Sequence, residues 1–424
     1  MPLRNVTIID LSRLLSGPYA TMMLSDLGAE VIKVESPSGD DTRSLGPPNY
    51  YDWSAYFYSV NRNKKSISLD LKTDEGKEVF LKLVKTADAV IENFRPGTME
   101  RLGLAYEDLK KVNPKIILSS ISGFGQFGRD SQKPGYDVLA QAMGGLMSVT
   151  GEKGGAPLKA GYSFADLGTG MWAAIGILTA LWERQQSGKG QWIDTALLDT
   201  IVSWQTYLAS NYFASGKDPG PIGTEHPNIV PYQAFEAADG YFVVAIARDY
   251  MWELFVNKIG IEVLKDEKFR YNEGRVLHRE KLLTILRDLF LERTRNEWEI
   301  FFSELKIPVG PVNQLSEVLN DEHVLQRGMV VDTNHDKHGK LKALGLPLHL
   351  SRTPGQPRTA PPLLGEHSHL ILENLGYSKS QIESLIQRSI VVSDMNEQKF
   401  TNQKNVSDYK RGGAYEKKKN QSSL

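Results

Sequence analysis

The chain has 424 residues, 41% hydrophobic and 24% charged, an ordinary globular balance with room for one large domain or two. A formal net charge of -1 gives no electrostatic basis for bulk nucleic-acid binding. The absence of cysteine excludes disulfides, thiolate metal sites and a Cys nucleophile, and fits a reducing compartment.

The start, "MPLRNVTIIDLS", enters a strand-like run without an Arg-rich leader. A cytoplasmic location is expected, or the mitochondrial matrix if a leader has been removed. "VTIID" predicts a buried strand, "SGPYATMMLSDLGA" a helix with Pro18 in its first turn, and "EVIKVE" a second strand. "TDEGKEVFLKLVKTA" is amphipathic, with Thr73 or Asp74 as its cap. The strand "DAVIENF", the helix "LAYEDLKKVN" and the strand "KIILSSIS" follow. This alternation predicts an α/β fold with a parallel sheet wrapped on both faces.

A helix is expected near 171–186, ended by "SGKGQ" and followed by the strand "WIDTALLD" and a helix over 199–214. Its apolar run, roughly Leu167 to Trp182, falls short of the ~18 residues a membrane span needs. A Pro/Gly-rich linker over 215–231 precedes a second unit. There, "YQAFEAADGYFVVAIA" turns at Asp239-Gly240, and helices are expected near 249–259, 279–292 and 296–305. "IPVGPVN" reads as another break, and a final helix runs to about 388. The polar, basic segment 391–424 reads as a disordered tail.

Five candidates for chemistry stand out. "GFGQFG" matches a dinucleotide pattern, but "RDSQKPG" follows it where a helix should begin, so a Gly-rich loop is the better reading. "GYSFA" around Ser163 lacks the buried strand that a nucleophile elbow needs. Arg62, Lys64, Lys65 and Lys72 form either a solvated strand edge or a phosphate cradle. Arg95 and Arg101 follow a strand end, where parallel sheets bind ligands. Asp166 in "GYSFADLGTGM" is either a helix N-cap or a reactive carboxylate with space cleared around it. All eight histidines lie at His226 or beyond, so chemistry around Asp166 has no nearby imidazole in sequence.

Taken together, "DLSRLLSGPYATMMLSDLGAEVIKVE", "NRNKKSISLDLK", "ENFRPGTMERLGL", "SGFGQFG", "GYDVLAQAMGGLMSVTG", "ADLGTGM", "GKGQWIDTALLD", "IPVGPVN" and "PPLLGEHS" resemble the class III (CaiB/BaiF-type) CoA-transferases. The likeness runs over roughly residues 3–389, and "GTEHPNIVPYQAF" and "APPLLGEHS" look most like the succinate–hydroxymethylglutarate (glutarate) branch.

The resemblance implies an interlocked homodimer with a Rossmann-like large domain and a small α+β domain. The large domain would combine 1–214 with a linker and C-terminal part over 326–390. The small domain would occupy 232–325. It further implies that Asp166 is the nucleophile, passing through an aspartyl anhydride and an aspartyl-CoA thioester. A free Asp titrates near ~3.9 and would be ionised at neutral pH. No cofactor is held permanently; coenzyme A arrives as acyl-CoA substrate, together with a carboxylic acid and without nucleic acid or membrane. By motif position, CoA would be met by Leu14, Leu15, Leu69, Asp70, Leu71, Lys72, Asn93, Phe94, Arg95, Arg101, Tyr136 and Asp137. Gly168 and Gly170 would let backbone and substrate approach closely.

Some members carry Arg after the Glu that ends the second strand. Here that place is Ser36, so a phosphate contact is absent or comes from Arg62 or Lys64. Lys159 and Arg248 are candidates for a second carboxylate of a dicarboxylate such as glutarate. The same fold serves 2-methylacyl-CoA racemases, which use a His where this chain has Tyr136, and Tyr is a poor base at neutral pH. A non-catalytic acyl-CoA-binding protein is the other alternative.

Overall fold

The computed structural model describes residues 1–335 and 338–393. Six parallel strands form the centre of the molecule: β1 (Thr7–Asp10), β2 (Glu30–Glu35), β3 (Lys64–Leu69), β4 (Ala89–Glu92), β5 (Ile117–Ser122) and β6 (Trp192–Ala196). Their spatial order is β3-β2-β1-β4-β5-β6, a doubly wound arrangement that reverses direction between β1 and β4.

Side-chain alternation divides the core between the two faces. Ile8, Val31, Ile91 and Ile117 face α1 (Ser16–Asp26) and the helix Phe164–Ser187. Ile9, Ile32, Val90 and Leu118 face α2 (Asp74–Thr86), which packs through Val79, Phe80 and Leu83. Thr73 caps α2 by accepting the Gly76 N–H at 3.1 Å, as the sequence led us to expect. After β5 come α3 (Asp137–Met143) and α4 (Phe164–Ser187). The expected helix over 199–214 is two, α5 (Leu197–Ser203) and α6 (Thr206–Ser215).

A second hydrophobic core lies over 230–307. Strands β7 (Tyr232–Ala237) and β8 (Gly240–Ala245) form the expected hairpin, covered by α7 (Asp249–Ile259), α8 (Arg279–Phe290) and α9 (Arg295–Glu304). Phe242, Phe255, Phe290, Trp298 and Phe302 fill this core with aromatic contacts. "IPVGPVN" is not only a break: Val309–Pro311 is β9, an edge strand on β8. An edge tolerates Pro and Gly because one side of its backbone needs no partner.

Strands β10 (Val330–His335) and β11 (Gly339–Leu344) pair as a separate hairpin, unforeseen from the sequence. The chain then returns to the large sheet. Helices α10 (Ser368–Asn374) and α11 (Lys379–Gln387) place Ile371, Leu372, Ile382 and Leu385 in the same core as α2. Val391–Val392, read as the start of the tail, is instead β12, antiparallel to β3 at the sheet edge. The sheet is therefore mixed rather than purely parallel. The rest of the expected tail, 394–424, lies outside the described residues.

Helix α4 is longer than its apolar run suggested. Its 24 residues are long and apolar enough to cross a membrane, and half of its most apolar window is buried against α1 and the sheet. Its other face exposes Met171, Trp172, Ile175, Leu178 and Trp182.

Candidate active site

At the switch point the chain leaves β1 through Leu11–Leu15 and β4 through Asn93–Pro96. Asn93 clamps the two exits together. Its Oδ1 accepts the Arg13 N–H at 2.8 Å and its Nδ2 donates to the Arg13 carbonyl at 2.7 Å. The Arg13 guanidinium lies 5.8 Å from the centre of the Phe94 ring. Leu14 sits at φ +66, an uncommon conformation for a residue with a Cβ. Its N–H points to Asp40 Oδ1 at 3.4 Å.

Buried charges support this turn. Lys33, fully buried, donates to the Ser12 carbonyl at 2.8 Å and to Asp40 at 2.9 Å. Asp10 accepts from the Ser12 N–H and from the hydroxyls of Ser12 and Thr21. Lys64 Nζ donates to Asp10 at 3.0 Å, Pro18 O at 3.0 Å and Asn61 Oδ1 at 2.8 Å. Burial raises the pKa of Asp10, but Lys64, Lys33 and the two hydroxyls outweigh it and bring it down to about 2. Burial pushes Lys64 down to about 8 against the pull of Asp10.

For two members of the basic cluster, Lys64 and Arg62, this overturns both readings, while Lys72 stays exposed. Lys64 is neither a solvated edge residue nor a phosphate ligand. Arg62 is likewise buried, gripping Asp26 through Nη2 at 2.6 Å and the Leu344 carbonyl at 2.7 Å. Neither replaces the phosphate contact missing at Ser36.

Asp166 lies in the first turn of α4 but is not its N-cap. Ser163 occupies that position and makes no side-chain cap bond. The cap comes from α3: Asp137 Oδ1 accepts the N–H of Ala165 at 2.9 Å and of Asp166 at 3.3 Å. Asp137 Oδ2 accepts from Gln141 Nε2 at 2.6 Å, and Gln141 is fully buried. The Asp166 carboxylate itself receives no hydrogen bond among the described residues. Burial first, and the Asp137 charge second, raise its pKa from 3.8 to about 7. The expectation of an ordinary Asp, fully ionised well below neutral pH, is thereby corrected: burial and the Asp137 charge favour its protonated form and carry its titration up toward neutral pH.

Tyr56, which no sequence signal marked, belongs to this cluster. Burial and then the charges of Asp166, Asp40 and Asp137 push its phenol up to about 12.

The two glycines after Asp166 serve packing rather than substrate approach. A Cβ on Gly170 would lie 2.4 Å from the Ser16 carbonyl oxygen, and one on Gly168 would lie 2.3 Å from the Trp204 ring. Gly170 thus lets α4 press on the start of α1, just after Leu14 and Leu15. Asp166 is one turn before Gly170 on the same helix face. The switch-point turn and the Asp166 cluster are in this way made neighbours.

The remaining expected contacts divide. Tyr136 is exposed at the start of α3. Arg95 and Arg101 are exposed beyond β4, the latter donating to Thr98 Oγ1 at 2.7 Å. Asp70, Leu71 and Lys72 form the turn after β3, where Asp70 Oδ1 accepts the Lys72 N–H at 3.0 Å. Leu69 is buried in the core and its side chain is not available to a ligand. Lys159 donates to the neighbouring Ala160 carbonyl, and Arg248 is exposed at the N-terminal end of α7 in the second unit. Neither contributes to the electrostatic surroundings of Asp166.

The Gly-rich loop starts no helix. Gly125, at φ +86, donates to Ser122 Oγ at 2.9 Å, Asp194 Oδ2 holds the Gln126 N–H at 2.9 Å, and Phe127 is 82% exposed. A cavity of about 490 Å³ opens on the outer side of α4, lined by Trp172, Ile175, Trp192 and Asp199. No residue of the Asp166 cluster lines it.

A family model described as CoA-transferase family III matches residues 3–368. The chain belongs to that family. It is 42% identical to the succinyl-CoA:glutarate CoA-transferase of Mus musculus, over 92% of this chain and 90% of that protein. It is 39% identical to a succinate–glutarate CoA-transferase of Agrobacterium fabrum, over 88% of this chain and 96% of that one. Among solved structures, a CaiB/BaiF family protein from Brucella suis superposes with a TM-score of 0.81 at 40% identity, covering 88% of this chain and 99% of that chain. The protein is thus an enzyme of the CoA-transferase class, with CoA thioesters as substrates. The racemase and non-catalytic alternatives are not favoured.

Proposed function

We propose that this CoA-transferase moves CoA from succinyl-CoA to a dicarboxylic acid such as glutarate, with Asp166 as the nucleophile. One observation carries the assignment to Asp166. Its carboxylate is partly buried, receives no hydrogen bond among the described residues, and sits beside the switch-point turn. A desolvated carboxylate with a raised pKa is a stronger nucleophile than an exposed one.

The ionised Asp166 oxygen attacks the acyl carbonyl of succinyl-CoA, and the C–S bond breaks to give an acyl–aspartyl anhydride and CoA thiolate. The thiolate attacks the aspartyl carbonyl. Succinate leaves with an oxygen that belonged to Asp166, and an aspartyl-CoA thioester remains. The acceptor carboxylate attacks that thioester, forming a new anhydride and releasing the thiolate. The thiolate attacks the acceptor carbonyl, giving glutaryl-CoA and restoring Asp166. Every step exchanges a carboxylate with a thiolate, so no imidazole is required. Alignment of the partners can supply ~7–11 kcal/mol.

For CoA we infer a path along the carboxyl ends of the strands. Leu14, Leu15, Asn93 and Phe94 form its wall. Arg95, Arg101 and Lys72, exposed and cationic, suit the phosphates. Tyr136 stands near the reacting end. A second copy of this chain, in the proposed reading, covers the apolar face of α4, where Trp172 is 44% and Trp182 66% exposed.

The test is a screen of acyl-CoA donors against carboxylic acids, read by mass spectrometry of the CoA products. Succinyl-CoA with glutarate is expected to give glutaryl-CoA. Hydrolysis alone, or alpha-proton exchange without an acceptor, would refute the reading.

A further inference from the structure

We infer that Asp137 is a positioning residue for the transfer reaction: by capping α4 from outside, it takes the donors that would otherwise satisfy Asp166 and leaves that carboxylate bare. The inference rests on the reading of Asp166 as nucleophile.

An acid in the first turn of a helix is ordinarily stabilised by the free N–H groups and the dipole at that end. Here the Ala165 and Asp166 N–H groups are already bound by Asp137 Oδ1, at 2.9 and 3.3 Å. The local cap residue, Ser163, contributes no side-chain bond, so the cap depends on a residue 28 positions earlier in the chain. Asp137 is fixed in turn. Gln141, one turn on in α3 and fully buried, donates to its Oδ2 at 2.6 Å and accepts the Ala160 N–H at 2.9 Å. That second bond ties down the segment leading into α4.

The groups facing Asp166 are Asp137 from α3 and Tyr56 from the helix Ala55–Val60; Asp40, in the turn beside Leu14, also acts on Tyr56. Neither immediate neighbour is a cation. One carboxylate thus holds the helix end in place while its charge disfavours ionisation of the other. The result is a nucleophile kept basic, which reacts in its ionised form after its proton has gone to solvent.

Three variants test this. Asp137→Asn keeps a carbonyl oxygen for the cap and removes the charge. Asp137→Ala removes both. Asp137→Ser, neutral and able to accept one N–H bond, stands in if the Asn variant does not fold. The readouts are the pH profile of kcat/KM for succinyl-CoA and the pH dependence of hydroxylamine trapping at Asp166. Wild type is expected to show an acid limb centred near pH 7. In Asp137→Asn the limb moves down by about one pH unit in both readouts, while the plateau falls severalfold. Asp137→Ala loses most activity at every pH. An unmoved limb in a folded, active Asn or Ser variant overturns the inference. Failure to trap Asp166 in the wild-type enzyme overturns the nucleophile reading itself, so the two failures are distinguishable.

Discussion

Replacing Asp166 with Asn is expected to abolish turnover and make the protein more stable, by an amount that depends on pH. Burial and Asp137 raise the Asp166 pKa from 3.8 to about 7. Between these values the folded chain holds a proton that the unfolded chain has released. Wild-type stability therefore falls as pH rises through this window, the reverse of an ion-paired carboxylate. At about 1.4 kcal/mol for each tenfold change in the ionisation constant, complete ionisation in the folded state costs about 4 kcal/mol. Asn carries no charge and escapes this penalty. The stability difference, read from paired urea melts, should grow by about 2–3 kcal/mol in favour of the variant between pH 5 and pH 8. A difference that is the same at both pH values would refute the account of Asp166 as a destabilised carboxylate.

Lys64→Met strands the charge of Asp10 in the core and is expected to destabilise by about 3–5 kcal/mol, with much of the loss recovered when Asp10→Asn is added; equal losses in single and double variants would contradict the pairing. Gly170→Ala places a Cβ 2.4 Å from the Ser16 carbonyl oxygen, and is expected to lower stability by about 1–3 kcal/mol and kcat with it. A fully active, equally stable alanine variant would show that α1 and α4 do not need their close approach. Arg95→Ala and Arg101→Ala should raise KM for acyl-CoA and flatten its salt dependence, with unfolding changed by no more than about 0.5 kcal/mol.

The sheet was legible because its strands are short apolar runs alternating with periodic helices. What escaped the linear reading is non-local or compositionally disguised. Val391–Val392 and Val309–Pro311 are short edge strands, one against a polar tail and one built of Val, Gly and Pro. Lys64 carries the signature of a surface residue, yet its counter-ion comes from β1, 54 positions away. Asp166 at a helix start suggested a cap, and its context did place it in a first turn. The actual cap, Asp137, comes from another helix, which no local spacing can reveal. Tyr56 reaches the site only through the packing of its short helix and had no motif to announce it.

The most direct test of the central claim follows oxygen. In the proposed sequence, acceptor acid attacks the aspartyl thioester and, when CoA takes the acyl group, leaves one of its carboxylate oxygens on Asp166. After turnover with succinyl-CoA and a heavy-oxygen-labelled acceptor acid, peptide mass spectrometry should find the heavy isotope in the peptide that contains Asp166 and at that side chain. Rapid formation of labelled acyl-CoA with no heavy oxygen on Asp166 would contradict the account.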